Sequence, residues 1–248
     1  MLWIPASLAA QTTINWMGDD QAMIDIQKDA KTGLLYHLGN DENFLYLTVR
    51  LADPLWEKQV LLAGLYLWID PKGKKKERIG IHFPTGLPIT DRPTDPFRLV
   101  AVLREIYPER SLYHQRQGEV ELINWGETAG TIRARQEELT GLPGFEMTVG
   151  LDSTKMTFLQ ARLPLKALFD DPGSFTLSGK KAFSLGLKTG ELGRPDIRGT
   201  DAVGLSGGGY PGRVTTEEQR RYQRYLDEYR EFAVARSWWI KKVRLAGK

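Results

Sequence analysis

The chain has 248 residues, 41% of them hydrophobic and 26% charged, with 34 Lys and Arg against 31 Asp and Glu. That length suits one large β domain with its own core, and the interleaved, nearly balanced charge lacks the clustered basic footprint of a nucleic-acid binder. The absence of cysteine excludes disulfides, thiolate catalysis and Cys-ligated zinc.

Residues 1–10, MLWIPASLAA, read as a signal-peptide remnant: a short apolar run precedes Ser7-Leu8-Ala9, a small-x-small cleavage site. This places the protein in the periplasm or outside the cell. No later stretch reaches the run of about 20 apolar residues that crosses a bilayer, so no integral membrane segment is expected. Residues 11–248 then form a single domain.

Strand signals dominate that domain. Residues 33–37 and 44–51 flank the turn Gly39-Asn40-Asp41-Glu42-Asn43, and 44–51 alternates with period 2, which predicts a hairpin. Residues 61–70, LLAGLYLWID, are apolar on both faces and read as a central strand, with 78–83 returning beside it. The run PKGKKKER between them reads as a solvated hairpin tip rather than a phosphate-binding patch. Four prolines in 84–96 predict a long loop. Residues 97–106 fit either a strand or a short helix. Further strands are expected at 119–125, 128–135, 144–151 and 156–163, a helical turn at 164–169, and more β structure through 187.

Residues 189–213 change character, with eight glycines and two prolines and no periodicity, and read as a Gly-rich loop. A helix at 215–236 follows. Thr215 and Glu218 make a capping box, and Tyr222, Tyr225, Leu226, Tyr229 and Ala233 make one apolar face. Residues 238–245 read as a last strand. About ten strands at hairpin spacing predict an all-β, antiparallel, immunoglobulin-like β-sandwich with one C-terminal helix before the last strand.

Motifs that suggest catalysis fail on context. Gly204-Leu205-Ser206-Gly207-Gly208 matches G-x-S-x-G, but neither strand nor helix signals flank it, and no histidine follows His114. Ser178-Gly179-Lys180-Lys181 and Lys188-Thr189-Gly190 lie too close together for the serine β-lactamase pattern. His37, His82 and His114 lack metal-ligand spacing, and Asp53, Asp70, Asp91 and Asp95 lack the D-x-D-x-D-G order of a calcium loop. The expectation is a non-enzyme with no cofactor and no metal.

Seven tryptophans are the more informative feature. Trp56 follows Asp53-Pro54 in a polar segment, and Trp125 follows Asn124 at a strand end. Both are read as exposed rings able to stack on sugars, with Arg98 and Asn124 reading the hydroxyls. Trp68 reads as core, and Trp16, Trp238 and Trp239 as seals near the ends of the sandwich.

Several segments resemble one family. NWMGDDQAMIDIQKDA, LLYHLGNDENFLYLTVRLAD and LAGLYLWIDPKGKKKERIGIHFP, with ARLPLKAL and FSLGL further on, are similar to the family-9 carbohydrate-binding module superfamily, also called DOMON-like, and to its uncharacterised exported bacterial branch. The resemblance covers 15–187, with 238–245 as a last strand. It implies an immunoglobulin-like sandwich whose relatives include sugar binders and haem or redox binders. The chain departs from the pattern in its Gly-rich loop, its helix and the scrambled order of Asn15 to Asp20. The functional expectation is a non-catalytic exported module that binds a polysaccharide or oligosaccharide. The alternative is a cell-envelope domain that docks a protein partner through the helix or the Gly-rich loop, without a small ligand.

Overall fold

The computed structural model describes residues 15–16, 26–94, 96–107, 118–126, 129–193 and 216–246. The proposed signal remnant and most of the Gly-rich loop lie outside them. Among the described residues, twelve strands build two sheets. The first contains β1 (Asn15–Trp16), β2 (Gln27–Lys28), β3 (Leu35–Asn40), β4 (Phe44–Arg50), β9 (Glu146–Leu151) and β10 (Thr157–Pro164), in the order β1-β3-β4-β10-β9 with β2 also on β3. The second contains β5 (Leu65–Asp70), β6 (Ile79–His82), β7 (Glu119–Ile123), β8 (Thr131–Arg135), β11 (Phe183–Thr189) and β12 (Ser237–Val243), in the order β12-β11-β5-β6-β7-β8. All ladders are antiparallel except β1 on β3. The architecture is an all-β sandwich.

Strand alternation makes the core. Leu45, Leu47 and Val49 of β4, Leu159, Ala161 and Leu163 of β10, and Met147 and Val149 of β9 face Leu65, Leu67 and Ile69 of β5, Ile81 of β6, Val120 and Leu122 of β7, and Phe183, Leu185 and Leu187 of β11. Each of these side chains larger than Ala161 stabilises the fold by about 1.5–3 kcal/mol when fully removed from water.

Helices cover one end. Residues 54–63 form α1 (Pro54–Ala63), where the reading of one long strand from 61 to 70 is corrected. Asp53 caps it by accepting from the Leu55 N–H, Pro54 occupies the first turn, and Gly64 at φ 83° ends it. The undecided segment is helical, α2 (Pro96–Ile106), and the helical turn is α3 (Leu165–Leu168). The C-terminal helix is α4 (Thr216–Phe232). Trp56, Val60 and Leu61 of α1 enter the main core. Leu62 and Ala63 enter a second cluster with Leu99 of α2 and Tyr229 and Phe232 of α4. Tyr229 is fully buried and donates its hydroxyl to the Pro93 carbonyl at 2.9 Å, while Tyr225 meets Phe97 edge-on. These aromatics of α4 are therefore used inside the domain.

Candidate functional site

The residues that alternate outward on the second sheet form two rows. Antiparallel register aligns Lys188 of β11, Tyr66 of β5, His82 of β6, Glu121 of β7 and Arg133 of β8. One step along, it aligns Trp239 of β12, Gly186, Trp68, Gly80 and Ile123. A Cβ on Gly80 would overlap the six-membered ring of Trp68, and one on Gly186 would approach the Trp239 indole to 2.6 Å. The two glycines let both indoles lean over neighbouring strands.

Three rings lie nearly parallel. The Tyr66 ring is 4.0 Å from the His82 ring at 5°, and 5.9 Å from the Trp68 ring at 10°. His82 and Trp68 are buried, whereas Tyr66 and Trp239 are half-buried and reach the surface. Tyr66 is thus a ring backed by a second ring, which fixes its orientation. Burial, then the neighbouring Glu121 charge, push its phenol above the ordinary value of 10.0, so it stands as a neutral hydroxyl at neutral pH. Among the described residues that hydroxyl has no hydrogen-bond partner.

The polar rim is strongly organised. His82 Nδ1 lies 2.6 Å from Glu121 Oε2, and Arg133 donates through Nε at 2.9 Å, and also through Nη2, to Glu121 Oε1. The His82 hydrogen bond, acting against burial and joined by Arg133, holds the Glu121 carboxyl down to about 2. Arg92 approaches from the 84–93 segment. Its guanidinium donates to the carbonyls of Leu87 at 3.1 Å, Ala63 at 3.2 Å and Glu191 at 3.4 Å. Burial lowers its pKa, and the proximity of Tyr66 and Glu121 opposes that shift. Lys188 is paired with Glu77 at 2.8 Å. Both Glu121 oxygens are engaged and His82 lies under Tyr66, so this pair supports the ring.

The sequence-derived site is differently placed. Trp56, at 2% exposure, faces the main core from α1, and Trp125, at 6%, meets Phe145 edge-on at 6.0 Å. The expectation that these rings stand exposed is corrected: Asp53 and Pro54 mark the start of a helix, and that helix turns Trp56 inward. Asn124 is exposed, but its amide is committed to the turn, accepting from the Gly130 N–H at 3.0 Å and donating to the Arg78 carbonyl at 3.2 Å, at φ 50°. Arg98 is exposed on α2, in the helical layer, at the opposite end of the sheet from Asn124. The structure does not bring the four together. Trp68 is buried as expected, but on the outer face. The residues missed were Tyr66, His82, Arg92, Glu121, Arg133 and Trp239. The outward alternation of Tyr66 and Trp68 within 65–70 was the available signal.

Among the described residues no group of three or more His, Cys, Asp or Glu is placed to hold a metal ion, and no helix is long and apolar enough to cross a membrane.

No family model and no curated protein matches the chain. Among solved structures it is similar to a family-9 carbohydrate-binding module from Caldicellulosiruptor kristjanssonii in complex with glucose, at 11% identity and a TM-score of 0.32, covering 73% of this chain and 79% of that one. It is also similar to a family-9 module from the same organism in complex with cellotriose, at 12% identity and a TM-score of 0.29, covering 72% and 77%.

Proposed function

We propose that this protein is a non-catalytic carbohydrate-binding module whose binding face is the outer surface of the second sheet around Tyr66. The observation that carries the reading is the half-exposed Tyr66 ring, backed by His82 and set in a rim of Arg92, Glu121, Arg133 and Lys188. A pyranose ring offers an apolar face and an equatorial belt of hydroxyls. A fixed aromatic ring takes the first, and the Tyr66 hydroxyl with the charged rim takes the second. Export goes with this reading: the proposal that 1–10 is a signal remnant predicts a mature chain cleaved close to Ala9-Ala10-Gln11, and a natively expressed chain that keeps Met1 overturns it.

The binding test is calorimetric titration with soluble β-glucans, α-glucans, xylans and pectins, using the parent, Tyr66→Ala, Tyr66→Phe and Trp125→Phe. At least one glycan is expected to bind saturably. Tyr66→Ala should weaken it tenfold or more, equivalent to about 1.4 kcal/mol, and Tyr66→Phe should weaken it less. Trp125→Phe should leave it unchanged. Equal affinity in parent and Tyr66→Ala, or no binding to any of these glycans, rejects the reading.

A further inference from the structure

We infer that the edge strand β8 is a docking site for an extended segment of a partner protein that carries carboxylates on its outward side and adds a strand to the second sheet. The ladder to β7 decides which backbone groups are open. The Gly130 carbonyl accepts from the Asn124 N–H at 2.7 Å, and the Gln136 N–H donates to the Gly118 carbonyl at 2.8 Å. Between these bonds the register runs from Thr131 opposite Ile123 to Arg135 opposite Glu119. Antiparallel alternation therefore gives the backbone of Ile132 and Ala134 to β7 and turns that of Thr131, Arg133 and Arg135 away from it. The Arg135 N–H agrees with this direction, since it donates to Glu138 Oε2 at 3.0 Å. The N–H and C=O groups of Thr131 and Arg133 have no partner among the described residues.

Two other edges are closed by specific devices. At β9 the Gln136 side-chain amide stands in for a neighbouring strand, donating to the Met147 carbonyl at 2.8 Å and accepting from the Met147 N–H at 2.7 Å. At β12, the other end of the second sheet, the register shifts between Phe183 and Leu185, and Lys242 is left-handed at φ 54°. Just beyond that strand the Leu245 N–H is taken by the Phe175 carbonyl at 2.9 Å. β8 has no such device over Thr131 to Ala134. Its five residues pair with β7 without a shift, and a regular open edge is a template for another strand.

Charge selects the partner. On the outer face Glu121 lies opposite Arg133 and Glu119 opposite Arg135. Arg133 donates to Glu121, and Arg135 reaches Glu137 at 3.6 Å, while both arginines stay exposed. β7 is thus the acidic strand and β8 the basic one, and a strand laid against β8 continues the alternation when its outward residues are acidic. On the core side of the sheet Ile132, opposite Leu122, is left 39% exposed at the edge, so an apolar side chain between the acidic ones covers it. A second copy of this chain fits less well. In the register that pairs all five residues about a two-fold axis, Arg133 faces Arg133, and like charges directly opposed are destabilising.

The test uses two labelled heptapeptides, one alternating glutamate with valine and one alternating lysine with valine. Each is titrated into the parent, Thr131→Pro and Arg135→Glu by fluorescence anisotropy, and amide exchange of the parent is followed with and without peptide. Thr131 opens the strand and its N–H points away from β7, so proline there removes an outward donor and leaves the ladder intact. The glutamate peptide is expected to bind the parent saturably and more tightly than the lysine peptide, and to slow exchange of the Thr131 and Arg133 amides. Each variant should weaken it about tenfold. If Thr131→Pro does not fold, Arg135→Glu and the exchange of those two amides decide. No saturable binding of the glutamate peptide, equal binding of both peptides, undiminished binding in a folded variant, or binding that leaves the two amides unprotected overturns the proposal. Protection of these amides that grows with protein concentration in the absence of peptide also overturns it, because it gives the edge to a second copy. Tyr66 and Arg133 are untouched in every variant, so the outcome does not depend on the glycan face proposed above.

Discussion

Glu121 shows how a single carboxylate organises the outer face. It carries the hydrogen bonds of both His82 and Arg133, and hydrogen bonds to a charged group are worth about 1.5–3 kcal/mol each. Glu121→Gln keeps the shape and removes the charge, so the variant should lose about 1–3 kcal/mol at neutral pH, read by urea unfolding. The pH dependence has a definite sign. The folded-state value is depressed from 4.5 to about 2, so the stabilisation is fully present above pH 4.5 and fades as pH falls through about 2. The gap between parent and Glu121→Gln should narrow as pH falls from 4 towards 2. A gap that widens over that acid range contradicts the assigned network. Gly80 is a companion case. A methyl there would overlap the Trp68 indole, and such overpacking costs about 1–3 kcal/mol, so Gly80→Ala should unfold at lower urea while Gly118→Ala, which meets open space, should not.

At the scale of elements, the loop between β5 and β6 depends on Asp70. Burial raises its pKa, but three backbone N–H groups and Arg78 outweigh burial and hold the carboxyl below its ordinary value. Asp70→Asn should therefore cost about 3 kcal/mol, in the range for breaking a buried charged network, and the amides of Lys72, Lys74 and Lys76 should exchange faster with deuterium. Unchanged exchange there would show that the loop is held by something else. Much of the strand framework is legible in the sequence because it is local. The turn before β4 is built by Asp41, which accepts from the N–H groups of Asn43 and Phe44 at 2.7 Å each, and β4 alternates as its residues require. Helix α1 was missed although Asp53 and Pro54 announce it, because Leu61 to Ala63 continue the apolar run into β5 and hide the break at Gly64. The candidate site was illegible for a different reason. Lys188, Tyr66, His82, Glu121 and Arg133 come from five strands, and register between distant strands leaves no trace in local pattern.

For the molecule as a whole, the two apolar clusters differ greatly in size. The sandwich core draws on both sheets, whereas the helical layer is held by Leu62, Ala63, Leu99, Tyr229 and Phe232. Hydrogen bonds among the described residues add further ties between the layers. The Gln59 amide of α1 donates to the Val234 carbonyl at 2.9 Å, and Tyr229 donates to Pro93. A layer with fewer buried contacts opens at lower free energy than the body it rests on. Native-state hydrogen exchange should place α2 and α4 in one unit that opens below the global unfolding free energy, with β4, β5, β10 and β11 exchanging only by global unfolding. Tyr229→Ala removes a fully buried ring, a loss of about 3–5 kcal/mol when the cavity does not collapse. If the layer is a separate unit, that loss appears first as faster exchange in α2 and α4, while the β4 and β10 amides keep their protection until the remaining stability of the layer is spent. Uniform acceleration across both sheets would show instead that helices and sandwich unfold as one. Because Arg92 reaches the Tyr66 face from the segment that joins β6 to α2, and anchors on Ala63 at the end of α1, opening of this layer would also release one side of the proposed binding face. The Tyr229→Ala variant therefore should bind glycan more weakly than the parent, by a factor that grows with temperature as the layer opens, whereas Gly118→Ala should follow the parent at every temperature.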